Sequence, residues 1–443
     1  VTADPPPLFI NPTIEKGLHT MDIQPTRPSD RNLGGFDYFL LWAGVAISLA
    51  EIWAGGFLAP MGFWAGFWAI ILGHLVGNTF MALGGVMGSE YGIMSMVSVR
   101  PAFGIRGSNL AAALNIIQLI GWASIMLIIG GRAGSALGQS AGGLLAADEF
   151  WIILIGMGTL AWALFTGRTF WKVMQTCAVI GLLLVILMMT FVSIEEFGRG
   201  VSMEPKGGMS FMIGLDLVIA MPISWMPLVS DYARFAKKSS SAFWNTWWGY
   251  FIVSSWMYLL GLLATLVTGQ SDPGMLILTT MGRIGMAVPA LIMVVFSTIT
   301  SDFPDVYSAT CSMLNISQRI SAKVMMWIAG LLAIAVALVF PMEQYENFLL
   351  LIGAMFVPLY GVVLTDYFLV RWRRLDVNAI YEEGGAYWYL KGYNPVALIS
   401  WVVGFIVFQW CVRTDYPLGG SIPSIVTAGA IYYFSTTPEK VGN

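Results

Sequence analysis

Residues 36–60 read FDYFLLWAGVAISLAEIWAGGFLAP, and residues 209–232 read MSFMIGLDLVIAMPISWMPLVSDY. Each is long enough for the ~20 apolar residues that a membrane-spanning helix needs. Each is also interrupted. The first carries Glu51 in its interior, contains Ala54-Gly55-Gly56 and ends at Pro60; the second contains Met221-Pro222-Ile223-Ser224-Trp225-Met226-Pro227. Proline removes a backbone donor and clashes with the preceding turn, and glycine adds backbone freedom. The expectation is therefore a pair of broken spanning helices. Breaks at corresponding positions of two halves point to a binding site near the bilayer midplane, which places Glu51, Ser224 and Trp225 among the candidate lining residues.

Ten further apolar stretches surround these two, at 63–87, 108–137, 150–167, 172–193, 242–268, 286–314, 323–340, 345–370, 394–413 and 421–437. The twelve spans predict an all-α integral membrane protein. The stretches are too long and too continuously apolar for the ~10-residue alternation of a membrane barrel. Spans one and six lie five apart, as expected if spans one to five and six to ten form two inverted five-helix repeats. Composition agrees: of 443 residues, 57% are hydrophobic and only 11% charged, against about 25% charged in soluble domains. The expected organisation is a disordered, proline-rich tail over 1–35, a transporter domain over 36–437 and a short tail over 438–443.

The charges orient the spans. With the N-terminus in the cytoplasm, seventeen basic residues fall inside and five outside, which accounts for all 22. The inner set includes Arg100, Arg106, Arg234, Lys237, Arg371, Arg373 and Arg374; the outer loops carry Asp148, Glu149, Glu195, Glu196, Glu343 and Glu346. This positive-inside bias predicts a multi-pass plasma-membrane protein with both termini cytoplasmic. A net charge of −3 and the absence of basic runs give no support for nucleic acid. Cys177, Cys311 and Cys411 suggest no disulfide framework, and His19 and His74 no metal or catalytic pair. No nucleophile–base constellation suggests an enzyme, and no filter-like repeat a channel.

Carboxylates inside spans are costly and functional by default. Glu51 and Asp302 are the two expected to face a cavity. Asp216 is expected near the outer interface, within reach of water, and Asp366 in a structural role beside Arg371. Span eight holds Ser297-Thr298-Ile299-Thr300-Ser301-Asp302, in which 297, 300 and 301 share a helical face. Its hydroxyls and carbonyls suit a small cation, although such groups in membrane helices also bond back to the preceding turn. Gln118 and Trp122 sit four apart on span three, so that an amide and a ring face point to one place. Trp122 and Trp225 are candidates to stack on a flat heterocycle.

Three sets of residues carry a family resemblance. Arg100-Pro101-Ala102-Phe103-Gly104-Ile105-Arg106-Gly107-Ser108 precedes span three. Asp231-Tyr232-Ala233-Arg234-Phe235 ends span six. Asp366-Tyr367-Phe368-Leu369-Val370-Arg371-Trp372-Arg373-Arg374 ends span ten, with Gly392-Tyr393-Asn394-Pro395 opening span eleven. Together they resemble the nucleobase:cation symporter family. The resemblance covers all spans and implies the inverted-repeat fold of sodium-coupled amino-acid symporters. It implies a Na+ site at the carbonyls of Gly44, Ile47 and Ser297 and the hydroxyls of Thr300 and Ser301, and no other cofactor. It implies stacking on Trp122, a lining role for Ser48, and Asp302 in place of a substrate-binding asparagine. Two positions depart from the family: its second aromatic falls at Pro222, with Trp225 nearby, and its span-three glutamine falls at Met126, with Gln118 one turn before Trp122. Within the family the sequence most resembles permeases for hydroxymethylpyrimidine, a thiamine precursor, with cytosine as the other favoured substrate. The alternative is a proton-coupled purine or allantoin-type permease in which Glu51 or Asp302 carries the proton.

The charge bias yields a direct test. A single cysteine at position 200 is expected to react with an impermeant maleimide on intact cells, and one at position 239 is not; labelling at 239 contradicts the threading.

Overall fold

The computed structural model describes residues 23–165, 168–301, 303–316 and 321–436. Its main helices are α1 (Gly35–Ala46), α2 (Leu49–Gly56), α3 (Phe63–Gly84), α4 (Ser108–Gly138), α5 (Asp148–Phe165), α6 (Arg168–Glu195), α7 (Phe211–Ser224) and α8 (Met226–Ala233). They continue as α9 (Ser239–Thr268), α10 (Pro273–Gly282), α11 (Ala287–Ser301), α12 (Phe303–Ile316), α13 (Ala322–Val339), α14 (Tyr345–Leu364), α15 (Pro395–Arg413) and α16 (Ser421–Ser435). No strand occurs among the described residues beyond two isolated bridges. Among the described residues seven helices are long and apolar enough to cross a membrane, or eight when α1 is joined to the bent segment after it. Each of the twelve apolar stretches falls on helix over its described residues. α10 was not anticipated, because ten residues are too few to span and carry no signal beyond a short apolar turn.

The break in the first span differs from the expected one. The chain bends by 58° between α1 and the segment Leu49–Met61, at Ile47 and Ser48. Gly55 and Gly56 lie within helix α2. They are packing glycines: a Cβ on Gly55 would lie 2.1 Å from the Tyr258 carbonyl, and one on Gly261 would lie 1.7 Å from the Ile52 carbonyl. Small residues let membrane helices approach closely, and here they press α2 onto α9. Ser48 starts α2 by accepting the Ala50 N–H at 3.2 Å. In the sixth span Pro222 sits inside α7 without ending it, and the interruption is the single residue Trp225 between α7 and α8. The span from Phe211 to Ala233 otherwise reads as one 23-residue crossing.

Packing divides the helices into two groups. α9 packs along α1, α2 and α3, and α3 along α7. α4 packs against α5, α11, α12 and α13, and Leu119, Leu127, Ile152, Ile155, Ala329 and Ala333 belong to this second group's own apolar cluster. α14 packs on α7, α15 and α16. Asp216 is buried, correcting the expectation of a water-reached position. It accepts the N–H groups of Gly420 at 2.5 Å and Ser421 at 2.9 Å, and so caps the α16 N-terminus.

The motifs that carry the family resemblance meet at one end of the bundle. Arg371 donates to Asp366 Oδ2 at 2.8 Å, to the Pro101 carbonyl at 3.2 Å and to Tyr389 at 2.7 Å. Tyr432 of α16 donates to the other Asp366 oxygen at 2.7 Å. Burial works against the Arg371 charge, but Asp366 outweighs it and holds the guanidinium proton more firmly than usual. Asn394 donates to the Ala102 carbonyl at 2.7 Å, and the Arg106 and Gly107 N–H groups reach the Gly392 carbonyl. These residues strap the loop after α14 to the loop before α4. Part of the presumed tail belongs to the same end. Leu33 is buried, with its carbonyl accepting from Lys237, and Arg31 donates to the Glu90 carbonyl at 3.0 Å. The ordered chain therefore begins before residue 35; residues 1–22 lie outside the described set. Gly200 is buried against Leu263, so exposed Lys206 is the better labelling position for the expected outer loop.

The α2–α9 seam makes a prediction. Gly261→Ala forces a methyl into the Ile52 carbonyl and is expected to destabilise the protein by at least about 1–3 kcal/mol. Gly282→Ala, where a Cβ meets nothing within 4 Å, is the control. Melting in detergent separates them; equal melting temperatures contradict the seam.

Candidate functional site

The bend between α1 and α2 opens toward α4. Ile47 closes α1 by donating its N–H to the Gly44 carbonyl at 3.2 Å. Ser48, half-buried, puts its Oγ 4.0 Å from the Met126 sulfur on α4. The candidate Ser48 thus faces the very position at which this chain departs from its family's glutamine.

One turn earlier on α4 lies Trp122, and two turns earlier Gln118. Trp122 is nearly buried and meets Tyr345 and Phe348 of α14 in edge-to-face contacts, with centroids 5.9 and 5.5 Å away. Gln118 donates through Nε2 to the Asn115 Oδ1 at 2.8 Å and to the Ser224 carbonyl at 2.9 Å. Asn115 in turn donates to Ser312 of α12 at 2.8 Å. The Gln118 amide therefore joins α4 to the end of α7, and it leaves Oε1 buried without a partner. A buried acceptor left unpaired costs about 1–3 kcal/mol, which makes it a position where a ligand N–H is favoured. Ser224 spends its own hydroxyl on the Met221 carbonyl at 2.6 Å, so its contribution to the site is the backbone.

Trp225, the residue between α7 and α8, is half-buried. Its ring meets Trp42 edge-on at 6.0 Å, and its Nε1–H donates to Tyr250 Oη at 3.0 Å. Tyr250 donates onward to Glu51 Oε1 at 2.5 Å, and Ser254 contacts Glu51 Oε2 at 2.7 Å. His74 Nε2 lies 2.5 Å from Ser254, and its Nδ1 lies 2.9 Å from the Ile70 carbonyl. Glu51 is 3% exposed and His74 0%. Glu51 thus faces α9 and α3 through these hydroxyls. His74 was not legible in the sequence, because it meets Glu51 only through Ser254, 180 residues away.

The structure connects Ser48, Gln118, Trp122, Ser224, Trp225 and Glu51 through contacts around the two interruptions. The cation candidates divide. Gly44 and Ile47 lie at the α1 bend. Ser297 and Thr300 lie on α11, where the Thr300 hydroxyl donates to the Ser297 carbonyl at 3.0 Å. This places two of the implied oxygen ligands side by side. No hydrogen bond joins α11 to the α1 bend among the described residues. The Ser301 side chain and Asp302 lie outside the described residues. No cluster of three His, Cys, Asp or Glu able to hold a metal occurs among those described.

An all-helical bundle of long apolar spans with an interrupted, aromatic-lined site is a multi-pass membrane transporter. The chain belongs to the nucleobase:cation symporter family: the family profile described as permease for cytosine/purines, uracil, thiamine and allantoin matches residues 25–434. Members are permeases, not enzymes. A hydantoin permease of Microbacterium maritypicum is 24% identical over 422 residues, covering 86% of this chain and 82% of that one. An allantoin permease of Bacillus subtilis is 24% identical over 374 residues, covering 72% and 71%. Among solved structures, the inward-facing conformation of Mhp1 superposes with a TM-score of 0.81 at 21% identity, covering 98% of this chain and 94% of that one. The closed Mhp1 with bromovinylhydantoin bound gives 0.79 at 21%, covering 93% and 94%. A Na+-coupled sialic acid symporter gives 0.61 at 15% identity, covering 98% and 97%.

Proposed function

We propose that this chain is a secondary active symporter that imports a small planar heterocycle with Na+ by alternating access. In this reading it threads the plasma membrane twelve times, with two inverted five-helix repeats, two C-terminal helices and both termini cytoplasmic. The observation that carries the reading is the bond from Gln118 on α4 to the interrupted span at Ser224, beside Trp225, with Gln118 Oε1 left unpaired and Trp122 one turn further along α4. Trp122 offers a ring face; the second indole, Trp225, lies at the span-six interruption. The unpaired Gln118 Oε1 seeks an N–H donor, while both amide protons are already committed. The site therefore favours a ring with a donor edge, such as the exocyclic amine of cytosine or hydroxymethylpyrimidine. Asp302, at the family's asparagine position, adds a charged acceptor of the same preference. Na+ is held by the Gly44, Ile47 and Ser297 carbonyls with Thr300 and Ser301, and helix ends at a broken span suit such coordination. A second reading, coupling to H+, is favoured by one feature: Glu51 is a buried carboxylate whose partners are hydroxyls, with no ion pair among the described residues.

Proteoliposome uptake of labelled hydroxymethylpyrimidine, cytosine, uracil and hydantoin at fixed pH and potential tests this. A Na+ gradient is expected to drive uptake of the amino-pyrimidines first. Thr300→Ala raises the half-saturating Na+ severalfold, and by linkage weakens substrate binding at low Na+. Trp122→Ala weakens every flat ligand by about 1–3 kcal/mol. Asp302→Asn costs the amino-pyrimidines about 1–3 kcal/mol more than uracil. Uptake indifferent to Na+ transfers the coupling to H+ and removes the cation site.

A further inference from the structure

The chain of contacts from Trp225 to Ile70 has a proton count. The Ile70 carbonyl only accepts, so the His74 Nδ1 facing it at 2.9 Å carries a proton. Tyr250 receives the Trp225 Nε1–H and gives its own proton to Glu51 Oε1. Ser254 then has one proton and two partners, Glu51 Oε2 at 2.7 Å and His74 Nε2 at 2.5 Å. If Ser254 donates to Oε2, His74 Nε2 must supply a proton, leaving a carboxylate and an imidazolium. If Ser254 donates to Nε2, Oε2 must supply it, leaving a neutral acid and a neutral imidazole. Both arrangements hold one proton more than a carboxylate beside a neutral imidazole. They interconvert when two protons hop through Ser254 in the same direction, with no change in net charge. Removing the shared proton leaves a lone buried carboxylate and one contact without a hydrogen, both costly away from water.

We propose that Glu51, Ser254 and His74 form an intramembrane binding site for one exchangeable proton, and that the substrate site senses its occupancy through Tyr250 and Trp225. The surroundings leave that proton to these three residues. The titratable groups packed around Glu51 are Tyr250 and Tyr258 of α9, Tyr345 of α14, whose Oη lies 3.3 Å from the Ala50 carbonyl, and His74 of α3. The Tyr258 ring meets His74 edge-on at 5.0 Å. α4 and the α7–α8 junction bring Gln118, Trp122 and Trp225, none of which titrates near neutrality. Among the described residues no lysine or arginine forms an ion pair with Glu51. Tyr250 donates to Glu51 in every arrangement. Proton removal instead leaves the Ser254–His74 contact without a hydrogen, and Ser254 lies one turn from Tyr250 on α9. Opening of that contact shifts Tyr250 and loosens its hold on the Trp225 indole, so the proton-loaded form is the one in which Trp225 is fixed for a ligand.

The link to substrate rests on the proposed heterocycle site; the proton site does not, and two measurements separate them. In ligand-free protein, infrared difference spectra are recorded across about pH 5 to pH 9, the range in which a histidine switch acts. The expected signal has a carboxyl part lost in Glu51→Gln and an imidazole part lost in His74→Gln, both titrating at one midpoint. Ser254→Ala, which leaves both titrating groups in place, is expected to split that midpoint in two. A carboxyl part alone identifies the neutral-acid arrangement and an imidazole part alone the imidazolium arrangement; absence of both parts, or separate midpoints in the unaltered protein, overturns the site. In the second measurement, calorimetry of cytosine and hydroxymethylpyrimidine binding in buffers of different ionisation enthalpy counts protons. On the alkaline side of the midpoint, binding is expected to take up close to one proton and to weaken by about tenfold per pH unit; Glu51→Gln removes both effects. Binding without proton uptake at any pH overturns the coupling. Absence of binding by either compound overturns the substrate assignment and leaves the infrared result standing.

Discussion

A helix can be interrupted inside a bilayer only where protein, not lipid, receives the freed backbone groups. That constraint organises this molecule. At Ile47 and Ser48 the first span lets go of its ladder, and three neighbours meet the need. The Ser48 hydroxyl caps α2, the Gly44 carbonyl takes the Ile47 N–H, and α9 closes over α2 along Gly55 and Gly261. At Trp225 the sixth span is interrupted more gently, and the Gln118 amide takes the Ser224 carbonyl from across α4. The two interruptions lie where one helical group faces the other. Irregular backbone, aromatic faces and an unpaired acceptor are therefore concentrated in the same place, which is what a transported ligand needs.

The rest of the structure supports this arrangement from its ends. Asp216 ties α7 to the start of α16, and the Asp366–Arg371 pair ties α14, α16 and the loop before α4 together. A buried pair of this kind is expensive to break from one side, by about 3–5 kcal/mol. The sequence motifs by which the family is recognised thus serve mainly as a strap, while the residues proposed to face the ligand are scattered singly over several helices.

The spans were legible because lipid imposes length and apolarity on every crossing. The bend of the first span was legible but not in place. Gly55-Gly56 resembled a break and is a packing seam, since glycine serves both ends and only the partner helix decides between them. The true signal was Ser48-Leu49-Ala50-Glu51, a serine followed three residues later by a glutamate, the pattern that starts a helix. Glu51 then does not complete the capping box but turns to Tyr250 and Ser254. Gln118 and Trp122 were legible from their four-residue spacing. His74 was not, because its role exists only through Ser254 on a distant helix. Leu33 escaped notice because a polar, proline-rich segment hides a single anchoring residue.

Accessibility of the α1–α2 bend tests the account most directly. In a cysteine-free background, Ser48→Cys is reacted with a small thiol reagent in membranes, with and without Na+ and with hydroxymethylpyrimidine or cytosine. If the heterocycle occupies the space between Ser48, Trp122 and Trp225, it slows alkylation severalfold, and more so with Na+ present. Unchanged alkylation at concentrations that saturate uptake contradicts the placement of the substrate at the interrupted spans.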